Sequence, residues 1–127
     1  MIKQIQTPNA PEVPSMLSQA IIANGFVFVS GQVHKQHGKE GVLVSGDIKV
    51  KTAQVIENLK QILEASGTSL NNVVKVTTYL TDMTTYSLFN EEYVKHFSSP
   101  FPAREVICVK ELPLKADVEI SVVAVLS

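Results

Sequence analysis

The run from Asp117 to Val125, DVEISVVAV, constrains the fold more than any other segment of the chain. It is rich in β-branched residues, and apolar side chains fall on both faces of the strand that it predicts. Such a strand belongs in a sheet whose two faces are both covered. We therefore expect helices of the same chain on one face of the sheet and a partner subunit on the other.

Strand-like runs and turn signals predict five more strands. The Asn24-Gly25 pair accepts positive φ at both turn positions, so it predicts a hairpin between the two runs that flank it. The last strand is reached through a loop around Leu112-Pro113. The five predicted strands are Ile2–Ile5, Ala20–Ala23, Phe26–Ser30, Val73–Leu80 and Ala103–Val109.

Two amphipathic helices are predicted between the strands. The first begins after Asp47, which is suited to cap it, and Gly67 ends it. The second is capped by Asp82 or Thr84 and stopped by the Ser98–Pro102 segment. Its inner face is expected to carry Tyr86, Phe89, Tyr93 and Phe97. The order β-ββ-α-β-α-ββ predicts an α/β (α+β) fold, with a mixed six-stranded sheet and two helices on one face.

Length, charge and cysteine content indicate a single domain without disulfides and argue against a nucleic-acid-binding protein. The 127 residues suit one domain, 1–127, and 45% of them are hydrophobic. The formal net charge of −1 and the lack of a basic stripe argue against a nucleic-acid partner. The lone cysteine, Cys108, excludes an internal disulfide, and we expect it to be a small buried hydrophobe. The polar, proline-rich start lacks a signal-peptide core, and no segment suits a membrane span. The cytoplasm is therefore expected, with a processed organellar form left open.

Four segments together resemble the Rid (YjgF) family. They are VSGQ at 29–32, the run from IENLK to YLTDM at 56–83, the helix containing Phe89, Asn90 and Tyr93, and FPAREV followed by LPLKADVEISVVAV. The resemblance covers almost the whole chain in the right order. It implies a chorismate-mutase-like (YjgF) fold and a homotrimer with sites in clefts between subunits.

The activity that the resemblance implies is hydrolytic deamination. RidA-like members convert reactive 2-imino acids or their enamine tautomers, such as 2-aminoacrylate and 2-iminobutyrate, to 2-keto acids and ammonia. The resemblance implies no metal and no organic cofactor. Older family labels include endoribonuclease L-PSP and translation inhibitor.

Arg104 and Glu119 are the candidate catalytic residues. The resemblance implies that Arg104 binds the substrate carboxylate, and a guanidinium holds a carboxylate with two parallel hydrogen bonds. The alternative for Arg104 is an ordinary surface role. Glu119 lies in an apolar run, where a carboxylate is paired, exposed or functional. By resemblance it positions the attacking water, and the alternative is a structural ion pair.

Three further residues line the cleft by resemblance. Ser30 and Gly31 end the hairpin strand, where glycine lets a ligand approach the backbone. Asn90 lies on the second helix and contributes to the site. The alternatives are a strand end before a loop for Ser30 and Gly31, and a helix-surface amide for Asn90.

Two positions depart from the family pattern and bear on the substrate. Leu17 takes the place of a cleft tyrosine, which removes a hydroxyl and makes the pocket more apolar. Val106 takes the place of a cysteine that acts through its backbone carbonyl, so valine is tolerable there. The departures leave open whether the chain is active, which substrate it prefers, and whether it is instead a non-catalytic module that binds small carboxylates.

The remaining candidates carry little chemistry. His34 and His37 are expected to be exposed loop residues, since two histidines make no metal site without a third ligand. Ribonuclease or translation-inhibitor activity is the least favoured function because the chain lacks a basic stripe and an obvious acid–base histidine pair.

Overall fold

A computed structural model describes residues 1–39 and 41–126. Its strands are β1 (Ile2–Ile5), β2 (Ala20–Ala23), β3 (Phe26–Val33), β4 (Val73–Leu80), β5 (Ala103–Cys108) and β6 (Val118–Val125). They form one sheet in the order β1-β2-β3-β6-β4-β5. The β4–β5 pair is parallel and the other four pairs are antiparallel. The predicted mixed six-stranded sheet is therefore confirmed.

Local sequence explains the hairpin and the bulge that follows it. Asn24 and Gly25 have φ values of 52° and 80°, as their turn requires. β3 runs past its predicted end at Ser30 and reaches Val33. The register with β6 shifts between Val29 and Gln32, so a bulge lies at the Ser30-Gly31 pair.

The helices are α1 (Ile48–Ala65) and α2 (Tyr86–Tyr93). Asp47 caps α1, since its side chain accepts a hydrogen bond of 3.0 Å from the Val50 N–H. Asp82 caps a short 3-10 turn that leads into α2. The predicted extent of α2 was wrong, because the helix ends at Tyr93 and hydrogen-bonded turns follow it. Neither helix of the described chain has the length and apolarity needed to cross a bilayer.

Both helices pack on the same face of the sheet. Their apolar side chains meet the inward residues of β3, β4 and β6 in one continuous core. Burying each large aliphatic or aromatic side chain contributes about 1.5–3 kcal/mol. The largest fully buried residues include Val27, Val55, Ile56, Leu59, Ile62, Leu63, Val76, Leu80, Phe89, Val118 and Ile120.

The opposite face of the sheet remains open and carries an apolar patch on β3 and the C-terminal half of β6. Along β6, Val118, Ile120, Val122 and Ala124 are buried, whereas the alternate residues stay partly exposed. On β3, the rings of Phe26 and Phe28 are 39% and 47% exposed. An apolar sheet face of this kind is unusual in a monomer and is typical of a surface that another chain covers.

Candidate functional site

Arg104 reaches from edge strand β5 to helix α2. It pairs in register with Val76, which is fully buried, so its side chain rises on the helix-covered face. Its Nη2 donates hydrogen bonds to Asn90 Oδ1 at 2.7 Å and to Tyr86 Oη at 3.1 Å. Two acceptors one helical turn apart therefore hold the guanidinium in place.

Aromatic rings surround the same guanidinium. Arg104 Cζ lies 4.8 Å from the ring centroid of Tyr93 and 5.9 Å from those of Tyr86 and Phe89. Burial raises the pKa of the Tyr93 phenol, while the Arg104 charge acts in the opposite direction. Tyr93 Oη has no hydrogen-bond partner among the described residues. The site is thus a positive charge on Arg104 that is held in place and surrounded by three aromatic rings.

A cleft of about 340 Å³ adjoins Arg104 at the far end of α2. It is lined by Asn90, Tyr93, Val94, Phe101, Pro102 and Arg104. Most of this lining is apolar, with the Arg104 guanidinium, the Asn90 amide and the Tyr93 phenol as its polar side-chain groups. The cleft therefore suits a small ligand that has one anionic end.

The Val106 carbonyl lies on the open edge of β5. The Val109 N–H donates to Leu80 O at 2.8 Å, so the backbone groups of Val109 point toward β4. Backbone groups alternate in direction along a strand, so those of Val106 and Arg104 point away from β4. The carbonyl that the family resemblance assigns to catalysis is therefore free to accept a hydrogen bond at this edge.

Glu119 lies on the open face of the sheet, against Gly31. It pairs in register with Tyr79 on β4 and Val33 on β3. A β-carbon at Gly31 would overlap the Glu119 carboxylate, so the bulge needs glycine there. Burial raises the pKa of Glu119, and no hydrogen bond or ion pair to its carboxylate is found in the described part of the chain. The structural ion pair considered as its alternative role is absent from these residues.

Ser30 and Leu17 lie near the bulge at which Gly31 contacts Glu119. The Ser30 hydroxyl donates to Ser18 O at 2.6 Å, and the Ser30 N–H donates to Gln19 O at 2.9 Å. Leu17 directly precedes Ser18 and is 39% exposed. The 17–19 segment is therefore tied to the bulge that presents Gly31.

The predicted site residues thus fall into two groups that one chain does not bring together. Arg104, Asn90 and the Val106 carbonyl lie at the β5 edge, with Arg104 on the helix-covered face. Glu119 and its neighbours lie on the open face of β6 and β3. β4 stands between β5 and β6, a separation of two strand spacings or roughly 10 Å.

Sequence reasoning missed the part played by two tyrosines. Tyr86 was predicted on the inner face of α2, but it is 36% exposed and its hydroxyl contacts Arg104. Tyr93 was predicted as a core residue only, yet its ring lies under the guanidinium. Their spacing with Asn90, at i, i+4 and i+7 on one helix, was the available signal.

His34 and Cys108 also differ from expectation. His34 is buried rather than exposed, its Nδ1 lies 3.0 Å from Val44 O, and its Nε2 accepts from the Asp117 N–H at 3.1 Å. Burial lowers the pKa of the ring. Cys108 is exposed rather than buried, because it ends the edge strand. Within residues 1–39 and 41–126, no group of three or more His, Cys, Asp or Glu residues could hold a metal ion.

Comparison with known proteins supports one family. A family model described as Endoribonuclease L-PSP matches residues 7–126. A RutC family protein of Pyrococcus horikoshii is 46% identical over 124 residues, which is 98% of this chain and 98% of the relative. Reactive Intermediate Deaminase A, chloroplastic, of Arabidopsis thaliana is 41% identical over 122 residues, or 96% of this chain and 65% of the relative.

Solved structures agree with these matches. The crystal structure of yeast Mmf1 has a TM-score of 0.95 at 41% identity, and the likeness covers 100% of both chains. The yeast relative is named as a mitochondrial protein and the plant relative as a chloroplastic one, so the relatives do not indicate a single compartment. With the family model and these relatives spanning nearly the whole chain, the protein belongs to the Rid (YjgF) family.

Proposed function

We propose that this chain hydrolyses reactive 2-imino acids and their enamine tautomers to 2-keto acids and ammonia. The observation that carries the proposal is the Arg104 guanidinium, held by Asn90 and framed by aromatic rings at the edge of a small cleft. An imino acid carries a carboxylate next to its electrophilic carbon. Anchoring that carboxylate fixes the direction from which water reaches the carbon, and orientation of this kind is a large part of catalysis.

The residues divide the chemistry between them. Water adds to the C=N carbon, and one of its protons moves to nitrogen. The second proton then leaves the new hydroxyl for nitrogen as the C=O double bond forms and the C–N bond breaks to release ammonia. The outward Val106 carbonyl accepts a hydrogen bond from the attacking water. Glu119 relays the proton, and burial raises its pKa, which makes the carboxylate a stronger proton acceptor.

We propose further that the working unit is a homotrimer with sites between subunits. Arg104 and Glu119 lie on opposite faces of one sheet, so a second copy is needed to place a Glu119 beside an Arg104. The open face that carries Glu119 also carries Phe26 and Phe28, and packing it against another copy would remove those rings from water. One assembly step would therefore cover the apolar face and complete the site.

The test is turnover of 2-aminoacrylate and 2-iminobutyrate generated in situ, followed by release of the keto acid. The native chain is expected to accelerate release, and Arg104→Ala to lose roughly a hundredfold or more in kcat/KM, because the substrate carboxylate loses its charged partner. Lys110→Ala is the matched control, since it removes an exposed cation from the loop after β5. Equal rates with and without native protein would overturn the proposal.

A second candidate is a module that binds a small carboxylate without converting it. The observation in its favour is Leu17, an apolar residue beside the Ser30 bulge where the family pattern has a tyrosine hydroxyl. Leu17→Tyr separates the two functions. Turnover that appears only in Leu17→Tyr would favour the binding module, and turnover in the native chain would favour the enzyme.

RNA cleavage, which the description of the family model names, is not proposed for this chain. The formal net charge is −1, and RNA binding relies on a basic surface.

A further inference from the structure

The hydrogen bonds of Arg104 limit how this guanidinium grips an anion. A guanidinium can hold a carboxylate with two parallel N–H bonds along either of two edges, Nε–Nη2 or Nη1–Nη2. Nη2 belongs to both edges. Nη2 carries two protons, and here it donates to two acceptors, Asn90 Oδ1 and Tyr86 Oη. A two-point grip by Arg104 alone would therefore break one of these bonds. The donors that remain free for a ligand are on Nε and Nη1.

The Tyr86 hydroxyl is placed to supply a second contact. Its oxygen accepts from Arg104, so its own proton points away from the guanidinium, and a ligand would compete for that proton with the neighbouring Asn90 side chain. Its side chain is 36% exposed at the start of α2. Because α2 connects parallel strands β4 and β5, it runs back along them, and Tyr86 therefore lies toward the Val106 end of β5.

We propose that Tyr86 is a ligand-binding residue whose hydroxyl donates a hydrogen bond to the substrate carboxylate. One carboxylate oxygen is held by the free donors of Arg104, and the other is held by the Tyr86 O–H. The two-point grip is thus shared between two side chains, and neither internal bond of Nη2 is lost. This inference rests on the proposed function, because it assigns a further residue to the same carboxylate site.

Two features of the site agree with this role. The Asn90 amide and the Arg104 guanidinium lower the pKa of the Tyr86 phenol, which makes its O–H a stronger donor. The Arg104–Asn90 bond, at 2.7 Å, is shorter than the 3.1 Å bond to Tyr86 and lies in a more buried setting. Asn90 therefore holds the guanidinium, and Tyr86 faces the ligand.

The test is calorimetric binding of 2-ketobutyrate, the stable product, compared with its uncharged amide, 2-oxobutanamide. Tyr86→Phe removes one hydroxyl and keeps the ring, and we expect it to weaken 2-ketobutyrate binding by roughly tenfold or more. Binding of the amide should change much less. Ser87→Ala, which removes an exposed hydroxyl from the next position of α2, should leave both affinities unchanged.

The outcomes distinguish this inference from the proposed function. If Arg104→Ala abolishes binding and Tyr86→Phe binds like the native chain, the carboxylate site stands and the role of Tyr86 is wrong. Equal losses for 2-ketobutyrate and the amide would also overturn carboxylate recognition by Tyr86. No binding by the native chain would overturn both proposals.

A crystal structure of the native protein with 2-ketobutyrate tests the contact without any variant. The expected result is a carboxylate oxygen within hydrogen-bond distance of Tyr86 Oη. A carboxylate held by Arg104 alone, with Tyr86 turned away from it, would contradict the inference.

Discussion

Gln19 ties the N-terminal loop to the rest of the fold. Its side chain is fully buried, and its Oε1 accepts from the Thr7 N–H at 2.6 Å. Its Nε2 donates to three carbonyl oxygens, Thr7 O at 3.1 Å, Ala10 O at 3.2 Å and Pro11 O at 2.8 Å. One amide thus satisfies four backbone groups of the loop that leads to Leu17.

Gln19→Leu keeps a similar volume and removes all of these bonds. The buried Thr7 N–H then has no partner, which costs about 1–3 kcal/mol. The three carbonyls lose neutral hydrogen bonds with a net value of about 0.5–1.5 kcal/mol each, partly offset by water and by the apolar gain of leucine. We expect the free energy of unfolding to fall by about 2–4 kcal/mol.

Urea unfolding at one fixed protomer concentration measures the effect, because the proposed trimer would make the unfolding midpoint depend on concentration. Gln61→Leu is the matched control, since among residues 1–39 and 41–126 its amide hydrogen-bonds only to the exposed Glu57 carboxylate on α1. The control should change stability by less than about 0.5 kcal/mol. A loss below about 1 kcal/mol in Gln19→Leu would refute the assignment of Gln19 as the anchor of the loop.

Three further predictions follow from single contacts. Burial lowers the pKa of His34 below its ordinary 6.5. The contribution of neutral His34 to the free energy of unfolding is therefore complete above pH 6.5 and is lost as the pH falls below it. When unfolding is measured as a function of pH, His34→Gln should lose less stability than the native chain over this range. Gly31→Ala should lower kcat by roughly tenfold or more with the fold intact by circular dichroism, because the new β-carbon displaces the Glu119 carboxylate. Because Glu119 relays the proton, the pH–rate profile should show an acid limb that disappears in Glu119→Gln; burial raises the pKa of Glu119, and an Arg104 of the neighbouring copy would oppose that shift.

The elements of this fold were predictable because their signals are local. The Asn24-Gly25 turn, the Asp47 cap and the β-branched runs each specify structure within a few residues. β4 was predicted with its observed bounds, Val73–Leu80. The end of α2 was predicted wrongly because hydrogen-bonded turns follow Tyr93 and still bury Phe97. The spacing of the buried aromatic residues is therefore the same as in a longer helix.

The sequence predicted which residues belong to the candidate site, but it did not predict how they are placed relative to one another. Arg104 and Asn90 do meet, but the register of β4 with β5 and β6 places Arg104 and Glu119 on opposite faces, and pairing between distant strands leaves no local trace in the sequence. The burial of His34 likewise depends on the Asp117 N–H, which lies far along the chain. Tyr86 was misassigned because an aromatic residue at helical spacing is usually a core residue.

Complementation between two inactive variants tests whether each site combines residues from two subunits. Arg104→Ala and Glu119→Gln chains are each expected to be nearly inactive in the keto-acid assay. When equal amounts are unfolded and refolded together, random assembly of the proposed trimer would give sites that combine an intact Arg104 from one copy with an intact Glu119 from the next. About a quarter of the sites would have both residues, so about a quarter of native turnover should return. A mixture no more active than the separate variants would contradict a site shared between subunits.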